Sequence, residues 1–333
     1  MTTIKEVRLK SRPVGLPQSD NFEVATVDLR DPGPGEVQVK NLWMSVDPYM
    51  RGRMNDVPSY VPPFQLGQAM DGAAIGQVTA SADPAFKEGD LVQSRFGWRE
   101  GFTAAAESVQ KLDPKGLPPQ AFLGAAGMPG LTAYAGLLRI AGLKEGDVVF
   151  VSGAAGAVGS MVCQIAKAKG NRVIGSAGGP DKVAFLKEIG VDHAIDYKAE
   201  KDLTAAVLAG SPKGINIYFD NVGGPHLEAA LTAARPFARF AMCGMISMYN
   251  AAELPPGPRN LAMMIGKSIR MQGFTVGLHG DLTPQFLEEL AGWVREGKVK
   301  WTETVLEGID KAPEAFLGLF SGLNTGKMLV KLA

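Results

Sequence analysis

Residues Asp147 to Lys182, DVVFVSGAAGAVGSMVCQIAKAKGNRVIGSAGGPDK, decide the fold. Val148, Val149, Phe150 and Val151 form an unbroken apolar run, the pattern of a parallel strand buried on both faces. Ser152 to Gly159 then supplies small residues for a sharp turn, and Met161, Val162, Ile165 and Ala166 follow at helical spacing. Strand, glycine-rich turn and helix in this order suit a pyrophosphate: Gly156 lets the backbone approach a phosphate, Gly159 lets helix and strand pack closely, and the N–H groups at the helix start favour an anion. Ala154 takes the first position of the pattern, so the match is A-x-G-x-x-G. On this motif alone, a small-residue turn with no nucleotide is the alternative.

The next strand narrows the choice. It runs from Asn171 to Ser176 and should end at an adenosine ribose, where an NAD site needs Asp or Glu for the 2′-hydroxyl. Neither is present; the chain offers Ser176, Gly178, Gly179, Pro180 and Lys182. Pro180 suits a helix start, and a lysine in that first turn opposes the helix dipole unless an anion lies between them. The spacing therefore predicts NADPH/NADP+, with Ser176 and Lys182 at the 2′-phosphate, against the alternative of a solvated surface lysine.

Composition excludes several classes. The 333 residues are too many for one ordinary core and suit two domains. Lys plus Arg and Asp plus Glu number 34 each, so no basic field draws the chain to nucleic acid or anionic lipid, and a small-molecule partner is expected. The two cysteines, Cys163 and Cys243, have no C-x-x-C spacing, which fits a reducing, cytoplasmic setting. No apolar run approaches the roughly 18 residues that span a bilayer.

Outward from the central stretch, the chain changes character. Residues 1–125 alternate in short strands between Gly/Pro turns, as in Val37-Gln38-Val39-Lys40, which predicts a folded-over barrel. From residue 126 to 299, strands expected at 148–151, 172–176, 193–197, 215–220, 238–243 and 268–274 alternate with helices, the rhythm of a parallel sheet wound on both faces. Helical spacing also covers Leu131 to Ile140. Residues 300–333 end on Lys327-Met328-Leu329-Val330-Lys331, which lacks a βαβ partner and is expected to return to the first domain.

Eight ordered blocks then resemble the zinc-independent alkenal and prostaglandin reductases (leukotriene B4 12-hydroxydehydrogenase-like) of the medium-chain dehydrogenase/reductase superfamily, including the bacterial curcumin-reductase type. They are SVDPYMRGRM (45–54), GMPGLTAYAGL (127–137), SGAAGAVGS (152–160), FDNVGG (219–224), CGMISMYN (243–250), LPPGPRN (254–260), IRMQGF (269–274) and NTGKMLVKL (324–332). The resemblance implies an α/β fold made of a GroES-like β-barrel-type catalytic domain (1–125 plus 300–333) and a Rossmann NADPH-binding domain (126–299). It places Ala155, Gly156, Ala157, Val158 and Gly159 at the pyrophosphate, Lys182 and Tyr197 at the 2′-phosphate end, and Asn221 on the nicotinamide side. Cys243, Gly244, Ile246, Ser247, Tyr249, Phe274, Thr275, Val276 and Asn324 fall in further cofactor-lining segments. Tyr197 as a strand cap and Cys243 as a small buried residue are the plainer alternatives.

The related zinc enzymes need Cys, His and a third Cys or acidic ligand. Asp47-Pro48-Tyr49, Gln68 and Met128 occupy the corresponding places, and His193, His226 and His279 are scattered, so no metal is expected. The implied reaction is NADPH-dependent reduction of the C=C bond of an enal or enone, extending to curcumin-like dienones and 15-oxo-prostaglandin-like lipids, with Tyr49 as first and Tyr249 as second candidate for the catalytic donor. The vertebrate prostaglandin reductases carry a further tyrosine where an ungapped alignment gives Gly266, which weighs against prostaglandin-type substrates. Arg51 and Arg53 either orient an acidic substrate or are solvated. Met44, Met50, Met54, Met70, Met128, Met245 and Met248 either border the cleft or fill cores. Quinone reduction and non-catalytic NADPH binding are the competing functions, and the edge at Ser268 to Phe274 is expected to form a homodimer.

Overall fold

The computed structural model describes residues 2–333. The chain divides into two compact units. One holds the residues up to Leu123 together with Glu303–Asn324 and Met328–Ala333; the other holds Gly124–Thr302 and Thr325–Lys327.

In the first unit, β1 (Thr2–Leu9) and β2 (Phe22–Leu29) pair antiparallel along their whole length, Thr2 opposite Leu29 and Leu9 opposite Phe22. A second sheet begins with β3 (Glu36–Ser45), in which Val37 and Val39 are buried while Lys40 is exposed. After the helical turn α1 (Met50–Arg53) come β4 (Ala74–Ser81), β5 (Leu91–Ser94), β6 (Gly101–Ala105) and β7 (Gln110–Lys111). Buried Asn41 fixes one loop of this unit by donating to Phe96 O and Arg99 O, both at 2.8 Å.

The second unit opens with α2 (Met128–Tyr134), which runs into a π-helical stretch, Ala135–Ile140. The Ala141 N–H reaches back five residues to Gly136 O at 2.9 Å. The expected single helix is therefore broken in period. A side chain at Gly136 would meet the rings of Phe274 and Phe219 at 2.5 and 2.6 Å, so the wide turn lies directly on them.

Then β8 (Val148–Val151), α3 (Ala157–Ala168), β9 (Arg172–Ala177), α4 (Pro180–Glu188), β10 (His193–Asp196), α5 (Leu203–Gly210), β11 (Ile215–Asp220), α6 (Gly224–Ala233), β12 (Ala234–Met242), α7 (Met263–Lys267), β13 (Arg270–Gly273) and α8 (Thr283–Arg295) alternate. The six strands lie in the order β10-β9-β8-β11-β12-β13, and every neighbouring pair is parallel. This is the Rossmann order, with its switch point between β8 and β11. All four residues of β8 are buried, as a strand covered on both faces requires. β12 begins four residues before the expected 238, and Phe237 breaks it with φ of 62°.

The chain returns with β14 (Glu303–Glu307), α9 (Ala312–Ser321) and β15 (Lys327–Lys331). These strands close the sheet begun by the N-terminal residues, in the order β14-β15-β3-β4-β5-β7, with β6 also on β3. The first unit's main core gathers Met44, Met50, Met54, Met70, Trp98 and Phe316, none more than 0 % exposed. Of the seven methionines open to either a cleft or a core, these four fill the core. No helix among the described residues is long and apolar enough to cross a membrane.

Candidate active site

The phosphate loop is built as its residue sizes demand. Gly156 caps α3 with extended backbone and no side-chain cap bond, so the N–H groups of Ala157, Val158 and Gly159 have no partner within the helix. A Cβ at Gly159 would lie 2.3 Å from Gly153 O and 2.8 Å from Ala154 Cα; only hydrogen fits. The backbone of Gly326 runs beside this loop, donating to Ala155 O at 2.7 Å, and Asn324 precedes it by two residues.

Two lysines, Lys182 and Lys198, stand at the end of β9, where Asp196 Oδ1 accepts the N–H groups of Gly179 and Lys198 at 2.9 and 3.1 Å. Lys182, in the first turn of α4, is half-buried, and burial together with neighbouring Lys198 lowers its pKa. Gly178 lies against the same residues: a side chain there would strike Tyr197 Oη and Lys198 Cε, both at 2.9 Å. Tyr197 and Lys198 therefore converge on one glycine, and the Lys198 charge is felt at Lys182. Two ammonium groups near each other are unfavourable alone and favourable around a phosphate. Lys198 was not singled out from sequence, although its place directly after Tyr197 carried the signal.

Ser176 departs from expectation. It is fully buried, and its Oγ lies 3.0 Å from His226 Nε2. A side chain enclosed at the end of β9 does not present its hydroxyl to a phosphate at the surface.

The switch point itself is a buried polar knot. Asp220 Oδ1 accepts from Tyr218 Oη (2.7 Å), Ser152 Oγ (3.0 Å), Val222 N (2.9 Å) and Gly223 N (2.8 Å). Burial raises the Asp220 pKa against these hydrogen bonds, and Oδ2 has no partner. Asn221 closes the knot, its side-chain nitrogen donating to Ser152 O at 2.7 Å and its N–H to Ser152 Oγ at 3.0 Å.

The following loop is zipped to this one. Asp220 O receives Cys243 N and Gly244 N at 2.9 and 3.0 Å, Asn221 O receives Ile246 N at 3.2 Å, and Val222 O receives Ser247 N and Oγ at 3.1 and 2.6 Å. Tyr249 Oη accepts the Met245 N–H at 3.3 Å, so this tyrosine braces its own loop. Burial, with Asp220 nearby, pushes the Cys243 thiol up to about 12, the behaviour of a packed residue rather than a nucleophile. Phe274 meets Phe219 edge-on at 6.2 Å, and Thr275 and Val276 follow it at half-buried positions.

In the first unit, Tyr49 is half-buried at the edge of the main core. Burial first, then nearby Asp47, pushes its phenol up to about 12, still further above neutral pH than an ordinary tyrosine, which is already a protonated donor there. Arg51 and Arg53 are neither solvated nor open to substrate: they are 3 % and 7 % exposed. Arg51 donates to Asn55 Oδ1 and Gly15 O, both at 2.8 Å. Arg53 forks onto Asp71, donates to Pro62 O at 2.8 Å and stacks over Phe64 at 4.0 Å. Both arginines hold the structure around Tyr49. Gln68 and Met128 are exposed. Among the described residues, no three His, Cys, Asp or Glu side chains come together to hold a metal.

The second unit thus fits NADPH on three observations: uncapped N–H groups at α3, no room for a side chain at Gly159, and Lys198 beside Gly178 with Lys182 close enough to feel its charge. Comparison with known proteins agrees. Residues 5–112 match the family described as the N-terminal domain of oxidoreductase, and residues 157–292 match zinc-binding dehydrogenase. The chain is 46 % identical to the putative NADP-dependent oxidoreductase YfmJ of Bacillus subtilis, over 99 % of this chain and 98 % of that one. It is 44 % identical to the NADP+-dependent 2-alkenal reductase of Nicotiana tabacum, covering 99 % and 97 % of the two chains. The crystal structure of CurA from Vibrio vulnificus in complex with NADPH superposes with a TM-score of 0.93 at 41 % identity, covering 99 % of both chains. The protein is an NADPH-dependent oxidoreductase with an N-terminal GroES-like and a C-terminal Rossmann-like domain, and it belongs to the medium-chain dehydrogenase/reductase family, related to the prostaglandin, curcumin and alkenal reductases.

Proposed function

We propose that the protein reduces the C=C bond of α,β-unsaturated aldehydes and ketones. The observation that carries this reading is Tyr49, a half-buried phenol in a unit whose neighbouring arginines are already engaged. Bound NADPH supplies the hydride, and addition at the β-carbon moves negative charge to the carbonyl oxygen. Tyr49 donates a hydrogen bond to that oxygen, where the charge develops, and thereby stabilises the enolate. Tyr49 is assigned the hydrogen bond to the oxygen, and a proton added at the α-carbon completes the reduction.

The second unit's residues hold the cofactor. N–H groups of Ala157 to Gly159 face the pyrophosphate, Lys182, Lys198 and Tyr197 the 2′-phosphate, and the Asn221 and Cys243 to Tyr249 loops the nicotinamide. No metal ligand enters the mechanism. The 2-alkenal reductase similarity supports an enal as substrate, with curcumin-like dienones and lipid enones as larger members of the class. Free Cys163 and Cys243 accord with a reducing, cytoplasmic site of action. β13 ends the six-stranded sheet, and we propose pairing of two β13 edges in a homodimer, which a monomeric sedimentation profile would exclude.

The reading is tested by following NADPH absorbance with a panel of enals, enones and quinones. Consumption with enals and enones, yielding saturated carbonyl products, is expected. Consumption with quinones alone, or tight binding without consumption, contradicts it.

A further inference from the structure

Behind Tyr197 lies a histidine that is 4 % exposed. His226 sits in the first turn of α6, with its Nε2 3.0 Å from Ser176 Oγ. Its ring meets that of Tyr197 edge-on, with centroids 5.1 Å apart and planes at 76°. Tyr197 is 41 % exposed, so much of its ring faces solvent and an unsupported phenol there would swing between rotamers. On the buried side, Ser176 fixes His226 and His226 supports Tyr197; on the outer side, the Tyr197 hydroxyl stands over Gly178 beside Lys198.

The imidazole has no access to a phosphate and adds no charge to one. Burial pushes its pKa down to about 4, so it is neutral near pH 7, which also suits its place at the positive end of α6. What remains for it is geometry. A hydrogen bond to a phosphate rewards a donor held in place before the ligand arrives, and of Lys182, Tyr197 and Lys198 only Tyr197 has a rigid ring that a buried neighbour can hold.

We propose that His226, locked by Ser176, is a positioning residue for the choice of NADPH over NADH, fixing Tyr197 so that its hydroxyl meets the ribose 2′-phosphate. The proposal rests on the reading of Lys182, Tyr197 and Lys198 as the 2′-phosphate site. It also gives Ser176 a part in cofactor choice without contact to the cofactor.

The test is the dissociation constant for NADPH and for NADH, read by nicotinamide fluorescence, on the full-length protein and its variants. His226→Ala should weaken NADPH about tenfold, the worth of one charge-assisted hydrogen bond, and leave NADH nearly unchanged. His226→Phe, which restores a ring beside Tyr197, should recover most of the loss, and Ser176→Ala should show a smaller loss of the same kind. A merely structural histidine would weaken both cofactors alike. Lys182→Ala separates the two levels: if it lowers the NADPH preference while folded His226→Ala does not, the positioning role is wrong and the phosphate site stands. If Lys182→Ala leaves the preference intact, both fall. Should His226→Ala fail to fold, an unchanged preference in Ser176→Ala overturns the proposal by itself.

Discussion

The two ends of the second unit's sheet crevice are made of opposite materials. The end we assign to the adenosine has open backbone N–H groups at α3, and Tyr197 and Lys198 against Gly178 with Lys182 nearby. The switch point uses a closed network, in which Asp220 Oδ1 alone receives four donors and neighbouring loops share backbone hydrogen bonds. The first offers N–H groups with no partner within the helix; the second is hydrogen-bonded within the chain apart from Asp220 Oδ2. Affinity and cofactor choice should therefore belong to the first, and rigidity of the reacting end to the second.

That contrast is open to attack by substitution. The largest effect should come from Gly159→Val, because its Cβ would lie 2.3 Å from a backbone oxygen that has no room to retreat. Loss of measurable NADPH binding, with a lower melting temperature, is expected; ordinary binding by fluorescence titration would show that the loop is not the phosphate site. Next, Asp220→Ala strands several buried donors, and a loss of about 3 kcal/mol of stability is expected, against about 1 kcal/mol for Tyr218→Phe. Equal small losses in denaturant titrations would mean that the knot does not set rigidity. Tyr49→Phe should then lower kcat about a hundredfold, the scale of one lost oxyanion donor, with the NADPH dissociation constant unchanged.

A pH dependence sharpens the comparison further. The folded pKa of His226, about 4, is below the ordinary 6.5, so between these values the unfolded chain binds more protons and stability falls on acidification. The loss should reach about 2 kcal/mol by pH 5 and be absent in His226→Phe, as melting curves from pH 8 to pH 5 would show.

The same contrast explains what was legible in the sequence. Strands buried on both faces announce themselves as apolar runs, so β8 and β11 begin and end where the residues predicted. The glycine turn before α3 was equally legible, since glycine spacing is a steric requirement. The knot was not: Ser152, Tyr218 and Asp220 are far apart or ordinary in sequence, and only parallel pairing of β8 with β11 joins them. Ser176 misled for a related reason, because its position at a strand end did not reveal which way the side chain turned. Arg51 and Arg53 look solvated on a turn, yet carbonyls from Gly15 and Pro62 enclose them. Periodicity reports elements; long-range polar partners are invisible to it.

The most direct measurement is the position of the transferred hydrogen. With NADPH deuterated at the reactive nicotinamide carbon and a simple 2-alkenal, the product should be the saturated aldehyde carrying deuterium at the β-carbon, one label per NADPH consumed. An allylic alcohol labelled at the former carbonyl carbon would contradict the account.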